Sequence, residues 1–451
     1  MFPTWGLSFL PLLYLFAFTA AAAVAGDGIQ RQPGLVAQQQ RQQQQQQHVL
    51  GGHTESPPPS SSLSQAHRFS FLAPSRPLTG FAAFGDSYSA GIGTGVRGKE
   101  DDCRHGLHAH PRLIATDFEV SQGGSRGSNV TAFQALSCTG ATTAQVLSGG
   151  EGSQIDAFVD TVRAPADFAL LSLGGNDLGF FAVMNACVFR FYSFYSGACE
   201  AALEAARARI EDGAEFEHRL ELVILEILDK ARWERKPWFF VTVTGYARFF
   251  NDVTDACNDM SFGVWWGDWG CRPTLTKSLR IRMNSLVYLV NAKIKQTVDN
   301  VNAKFAKDKA LFVDYDRAFD GHRFCEKNVA EPDYSRSDTW FFLTGGPDNA
   351  RNGTRPNSRT VETLPPNSAL IDPSSCLEPA ERSGDWGELA LCYMAMAKDR
   401  SPWLRPARED IIAQNSMWYV PTFYGKTFHP RSLGHEAIRD KIYEAWRKLD
   451  E

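Results

Sequence analysis

From residue 78 onward, short apolar runs alternate with longer amphipathic ones. Residues 81–84, 167–173, 238–244 and 310–314 are nearly continuous apolar runs of strand length. Runs of this kind suit parallel strands covered on both faces. Between them, residues 201–230 are rich in Ala, Glu, Leu and Arg with apolar positions at helical spacing. Residues 278–305 repeat the pattern with Leu279, Ile281, Leu286, Leu289, Val290, Ile294, Val298 and Val301. Such stripes are core-facing helix surfaces, and no function is assigned to them. The alternation predicts a layered α/β fold. Residues 320–422 break the rhythm. They read as a long loop insertion before a C-terminal helix and contain Trp340, Trp386, Trp403 and Trp418. An insertion of this length is either a lid or substrate wall, or a cysteine-tied excursion.

The N-terminal part follows a different pattern. Residues 7–19 are apolar, and a run of small residues leads to Ala23-Val24-Ala25. This is the layout of a secretory signal peptide over residues 1–25, with cleavage expected near Ala25 and Gly26. Residues 26–77 include a near-pure glutamine tract followed by proline and serine clusters. They offer little apolar surface to bury and are expected to be disordered. The folded domain is therefore assigned to residues 78–451. No later run is long and apolar enough for a membrane span. The net charge of −5 comes with no basic patch, which disfavours nucleic acid as a partner.

Nine cysteines fit an oxidising compartment. None forms a C-x-x-C pair, which disfavours zinc. Spacing suggests Cys187 with Cys199, Cys257 with Cys271, and next Cys103 with Cys138. Cys325, Cys376 and Cys392 then leave one cysteine over. Asn129-Val-Thr and Asn352-Gly-Thr are glycosylation acceptors in a secreted chain.

Four short blocks carry candidate chemistry. Gly85-Asp86-Ser87-Tyr88-Ser89 follows the first strand and precedes the glycine-rich stretch 91–95. A serine on a sharp strand-to-loop turn presents its hydroxyl at the open edge of a sheet, although Asp-Ser can equally begin a turn or cap a helix. The second block, residues 137–143, is a small-residue loop around Gly140. The third is Gly174-Gly175-Asn176-Asp177, directly after the second predicted strand; its Asn and Asp could instead cap a helix. The fourth holds Phe428-His429-Pro430, with Gly434-His435-Glu436 shortly after.

These blocks read GDSYS, CTGATT, GGND and HP, in that order. Together they closely resemble the SGNH hydrolases, also called the GDSL esterase/lipase family. The similarity is greatest to secreted, disulfide-containing actinomycete esterases and lipases and their fungal relatives. The resemblance implies a three-layer α/β/α sandwich with a mostly parallel central sheet and long loop insertions. It also implies an ester-cleaving site without cofactor or metal. In it Ser87 is the nucleophile and His429, rather than the rival His435, is the general base. The main-chain N–H groups of Ser87 and Gly140 and the side-chain amide of Asn176 form the oxyanion hole. The expected partner is a small-molecule or lipid ester, acted on by a secreted monomer. Many members of the family carry an aspartate three residues before the histidine. Lys426 stands there in this chain, and lysine cannot accept the imidazole N–H. The expectation is therefore a Ser–His dyad, with the main-chain carbonyl of Lys426 orienting His429. A carbohydrate acetyl esterase and a catalytically silent secreted binding protein are the alternatives.

Overall fold

A computed structural model describes residues 69, 78–96, 100–121, 132–150, 152–162, 164–189, 198–262, 274–333, 336–343, 347–350 and 422–450. Five strands form one parallel sheet: β1 (Gly80–Gly85), β2 (Ala132–Ala135), β3 (Phe168–Ser172), β4 (Val241–Thr244) and β5 (Ala310–Val313). The spatial order is β2-β1-β3-β4-β5. Three of the strands fall within the predicted apolar runs, and β1 extends its run of 81–84 by one glycine at each end. The fifth, β2, reads Ala-Phe-Gln-Ala on the sheet edge and is only half buried. Four residues around a glutamine present no apolar run, so this strand is set by pairing with β1 rather than by its own pattern.

Helices cover both faces. On one, Phe81 stacks on Phe168 at 4.7 Å, Phe118 from α2 (His110–Ser121) packs edge-on against both, and Trp446 from the C-terminal helix closes the layer. The indole N–H of Trp446 donates to Thr242 Oγ1 at 2.9 Å, so its one polar group is satisfied inside the core. On the other, Phe84 meets Phe158 just beyond α4 (Gln154–Ala157), and α7 (Ala214–Lys230) packs along α8 (Lys277–Asn302). The buried residues of α7 are its apolar stripe; along α8, Leu286, Val290, Ile294, Val298 and Val301 are buried as expected, Leu279 and Leu289 only partly, and Ile281 is exposed. The single helix expected over residues 201–230 is two, α6 (Ala198–Glu211) and α7, because the chain breaks at Asp212-Gly213. The other α-helices among the described residues are α1 (Ser87–Ala90), α3 (Thr143–Val146), α5 (Phe180–Met184), α9 (Thr422–Gly425) and α10 (Ser432–Asp450). Among the described residues, no helix is long and apolar enough to cross a membrane.

Two further expectations change. Cys103–Cys138 and Cys187–Cys199 are bonded, but Cys257 pairs with Cys325 rather than with Cys271. The segments leaving β4 and β5 run side by side, bridged at Phe250 and Phe324, which brings together two cysteines 68 residues apart. Phe69, assigned by composition to the disordered stretch, is buried against Tyr443 and Trp446. Cys271, Cys376, Cys392, Asn129, Asn352 and the signal-peptide segment lie outside the described residues.

Candidate active site

β1 and β3 are neighbours in space, and the chain's direction of travel across the sheet reverses between them. Doubly wound folds hold their ligands at the carboxyl ends of the strands flanking such a switch point. Ser87 follows β1, Asn176 follows β3 and Gly140 follows the edge strand β2, so topology alone brings three of the four blocks to one edge.

The turn carrying Ser87 is held from below. Gly85 has φ +122°, and a Cβ there would lie 1.9 Å from the Ser172 carbonyl oxygen, so only glycine allows β1 to leave the sheet this close to β3. Gln154 grips the same residue twice, accepting from the Gly85 N–H at 2.8 Å and donating to its carbonyl at 2.9 Å. Asp86 caps α1 by accepting the Tyr88 N–H at 2.9 Å. Its other oxygen accepts the Tyr246 hydroxyl at 2.6 Å. Burial pushes the Asp86 carboxyl up to about 7, against the pull of these two donors. The bland reading of Asp-Ser as a cap is thus correct for Asp86, and the cap is what presents Ser87.

His429 Nε2 lies 2.6 Å from Ser87 Oγ. Its Nδ1 lies 3.1 Å from the Thr427 carbonyl oxygen. A carbonyl only accepts, so Nδ1 carries the hydrogen and Nε2 is left with a lone pair facing the serine hydroxyl. The orienting carbonyl thus moves one residue from the expected Lys426. The Lys426 carbonyl accepts the main-chain N–H of His429 at 2.9 Å and adds a weaker pull on the ring. The cause is Phe428, whose φ of +64° swings the chain so that the carbonyl two residues before the histidine meets the ring. The Lys426 ammonium lies over the Phe342 ring at 4.9 Å. Burial pushes His429 down to about 4; the Thr427 and Lys426 carbonyls oppose this, and the nearby Arg104 charge adds to it.

Asn176 donates one amide hydrogen to the Ala141 carbonyl at 2.9 Å. The same nitrogen carries a second hydrogen for a ligand. Gly140, with φ +89°, is part of a turn closed by the Ala141 N–H donating to Cys138. Among the described residues, neither its N–H nor that of Ser87 is used in the bonds that build these turns. Asp177 has the structural role its position allowed. It accepts from the Thr143 N–H and from Thr143 Oγ1, capping α3. His435 is fully buried, where its Nδ1 accepts the His110 N–H at 3.2 Å.

Sequence reasoning missed Gln154, Tyr246, Thr427 and the left-handed Phe428. Only Tyr246 left a trace, as the aromatic two residues past a predicted strand.

Fold and site together define an α/β protein with a serine–imidazole pair at the carboxyl edge of its parallel sheet. Residues 83–334, more than half of the chain, match the GDSL-like lipase/acylhydrolase family, and the chain belongs to that family. It is 32% identical over 172 residues to lipase 1 of Streptomyces coelicolor, an alignment covering 38% of this chain and 53% of that one. It is 29% identical over 255 residues to a lipase of Streptomyces rimosus, covering 56% of this chain and 76% of the relative. The chain thus spans about half the length of the first relative and three quarters of the second. Among solved structures, a phospholipase A1 from Streptomyces albidoflavus is similar at 26% identity and a TM-score of 0.39, covering 55% of this chain and 84% of that one.

Proposed function

We propose that this protein is a secreted hydrolase of carboxylic esters that works through an acyl-enzyme on Ser87. The observation that carries the proposal is the 2.6 Å approach of His429 Nε2 to Ser87 Oγ, with the tautomer fixed by a carbonyl on the far side of the ring. As Oγ attacks the ester carbonyl, Nε2 takes its proton. The carbonyl oxygen becomes an oxyanion facing the N–H groups of Ser87 and Gly140 and the free amide hydrogen of Asn176. Such neutral, preorganised donors stabilise charge that develops only in the transition state. Collapse expels the alcohol, which receives the proton from the imidazolium. Water, activated by the same histidine, then releases the acid and restores the serine. His429 is oriented by a backbone carbonyl, which makes the pair a dyad. All the groups these steps require belong to the protein itself. The Streptomyces relatives named as lipases and the family match support an ester substrate. Three disulfides support an oxidising destination.

The test is turnover of short- and long-chain p-nitrophenyl esters by wild type and Ser87→Ala. Wild-type turnover that disappears in Ser87→Ala is expected. Equal rates in the two proteins would sink the serine mechanism. Activity confined to acetylated sugars would shift the reading to a carbohydrate acetyl esterase.

A further inference from the structure

We propose that Tyr246 is a positioning residue that holds Asn176 in register with Ser87. The inference rests on the ester-hydrolase reading above. Tyr246 lies just past β4, on neither the strand that carries Ser87 nor the one that carries Asn176. Its phenol nevertheless joins both. The hydroxyl donates to Asp86 Oδ2 at 2.6 Å and accepts the Gly175 N–H at 2.9 Å. Asp86 caps the turn that holds Ser87, and Gly175 is the residue before Asn176. One oxygen therefore fixes the spacing between the nucleophile's turn and the loop of the amide donor.

The phenol itself is firmly held. The Tyr246 main chain is gripped on both sides by one side chain, with its N–H donating to Asn291 Oδ1 at 2.8 Å and its carbonyl accepting from Asn291 Nδ2 at 2.8 Å. Its ring packs edge-on against Tyr88 at 5.1 Å and is almost fully buried. From Asn176 the chain of bonds continues to the Ala141 carbonyl, beside Gly140. The arrangement links the three donors through Asp86, Tyr246 and Gly175. A phenylalanine would fill the same space, so packing does not require the hydroxyl.

A double-mutant cycle with p-nitrophenyl butyrate tests the proposal. Asn176→Ala alone should lower kcat roughly 10²- to 10³-fold. Tyr246→Phe alone should lower kcat roughly 10-fold with KM nearly unchanged, because a misplaced donor is felt most in the transition state. The double variant should be about as slow as Asn176→Ala, since Tyr246 acts through Asn176. Titration of Ser87 with a fluorophosphonate counts the folded, reactive fraction, so kcat refers to competent molecules whatever the variant's stability. If the two losses multiply, or if Tyr246→Phe keeps wild-type kcat, the positioning role is overturned while the oxyanion role of Asn176 stands. If Asn176→Ala keeps wild-type kcat, that role fails and the inference fails with it.

Discussion

Ser87 rides on a turn restrained by the sheet beneath it, whereas His429 sits on a segment held by aromatic side chains gathered from several loops. On the serine side the holders are main-chain geometry, a cap and the two-point grip of Gln154 on Gly85. On the histidine side Phe428 is the keystone. Its ring packs against Phe249, Phe250 and Phe324 at 5.2 to 5.7 Å. Its N–H donates to the Phe342 carbonyl at 2.8 Å, and its own carbonyl accepts the Tyr88 hydroxyl at 2.8 Å. These contacts stabilise a left-handed backbone that a phenylalanine seldom adopts. The difference teaches that a site can place one reacting group by local geometry and the other by burial.

Removing the imidazole gives the largest effect. Under the proposed mechanism, His429→Ala should lower kcat at least roughly 10³-fold with the fold intact, the loss expected when a serine hydrolase is stripped of its base. Near-wild-type turnover would place the base elsewhere. Phe428→Ala comes next and strikes the support alone. Losing a buried aromatic should lower unfolding stability by about 3–5 kcal/mol in a denaturant titration. Its kcat should fall with the Ser87 turn still formed. Unchanged stability would mean that the aromatic cluster does not hold this segment.

A third effect, spread over several groups, is on stability in acid. His110 and His435 stack in the core, and burial pushes His110 down to about 3 and His435 well below the usual range, with the neighbouring His110 adding to it. The unfolded chain takes up protons at these histidines near pH 6.5, and the folded chain does so only at much lower pH. Stability should therefore fall as pH drops below about 6.5, by up to roughly 1.4 kcal/mol per pH unit for each histidine, until the folded pair titrates. His429, also depressed, adds with the same sign. Denaturation midpoints at pH 7 and pH 5 check this, with His110→Gln/His435→Gln expected to flatten the slope. Equal wild-type midpoints would count against it.

The same contrast explains what could be read in the sequence. The apolar runs gave β1, β3, β4 and β5 because a buried parallel strand needs little beyond its own composition. The blocks around Ser87, Gly140 and Asn176 were legible because each stands next to such a strand or in a small-residue loop. β2 was not, because its order comes from pairing with β1. Thr427 was missed because the choice between its carbonyl and that of Lys426 depends on one backbone angle at Phe428, set by rings far away in sequence. Tyr246 was missed because its hydroxyl matters only once three strand ends are side by side. The Cys257–Cys325 bridge was missed for a related reason: spacing measures distance along the chain, and the segments after β4 and β5 are neighbours only in the fold.

The histidine stands 342 residues after the serine. During synthesis, the segments of Ser87, Gly140 and Asn176 therefore emerge long before the imidazole that faces the Ser87 hydroxyl. A chain interrupted between Asn176 and His429 would carry these three segments without the imidazole. Under the proposed mechanism, competence waits for the segment that carries His429.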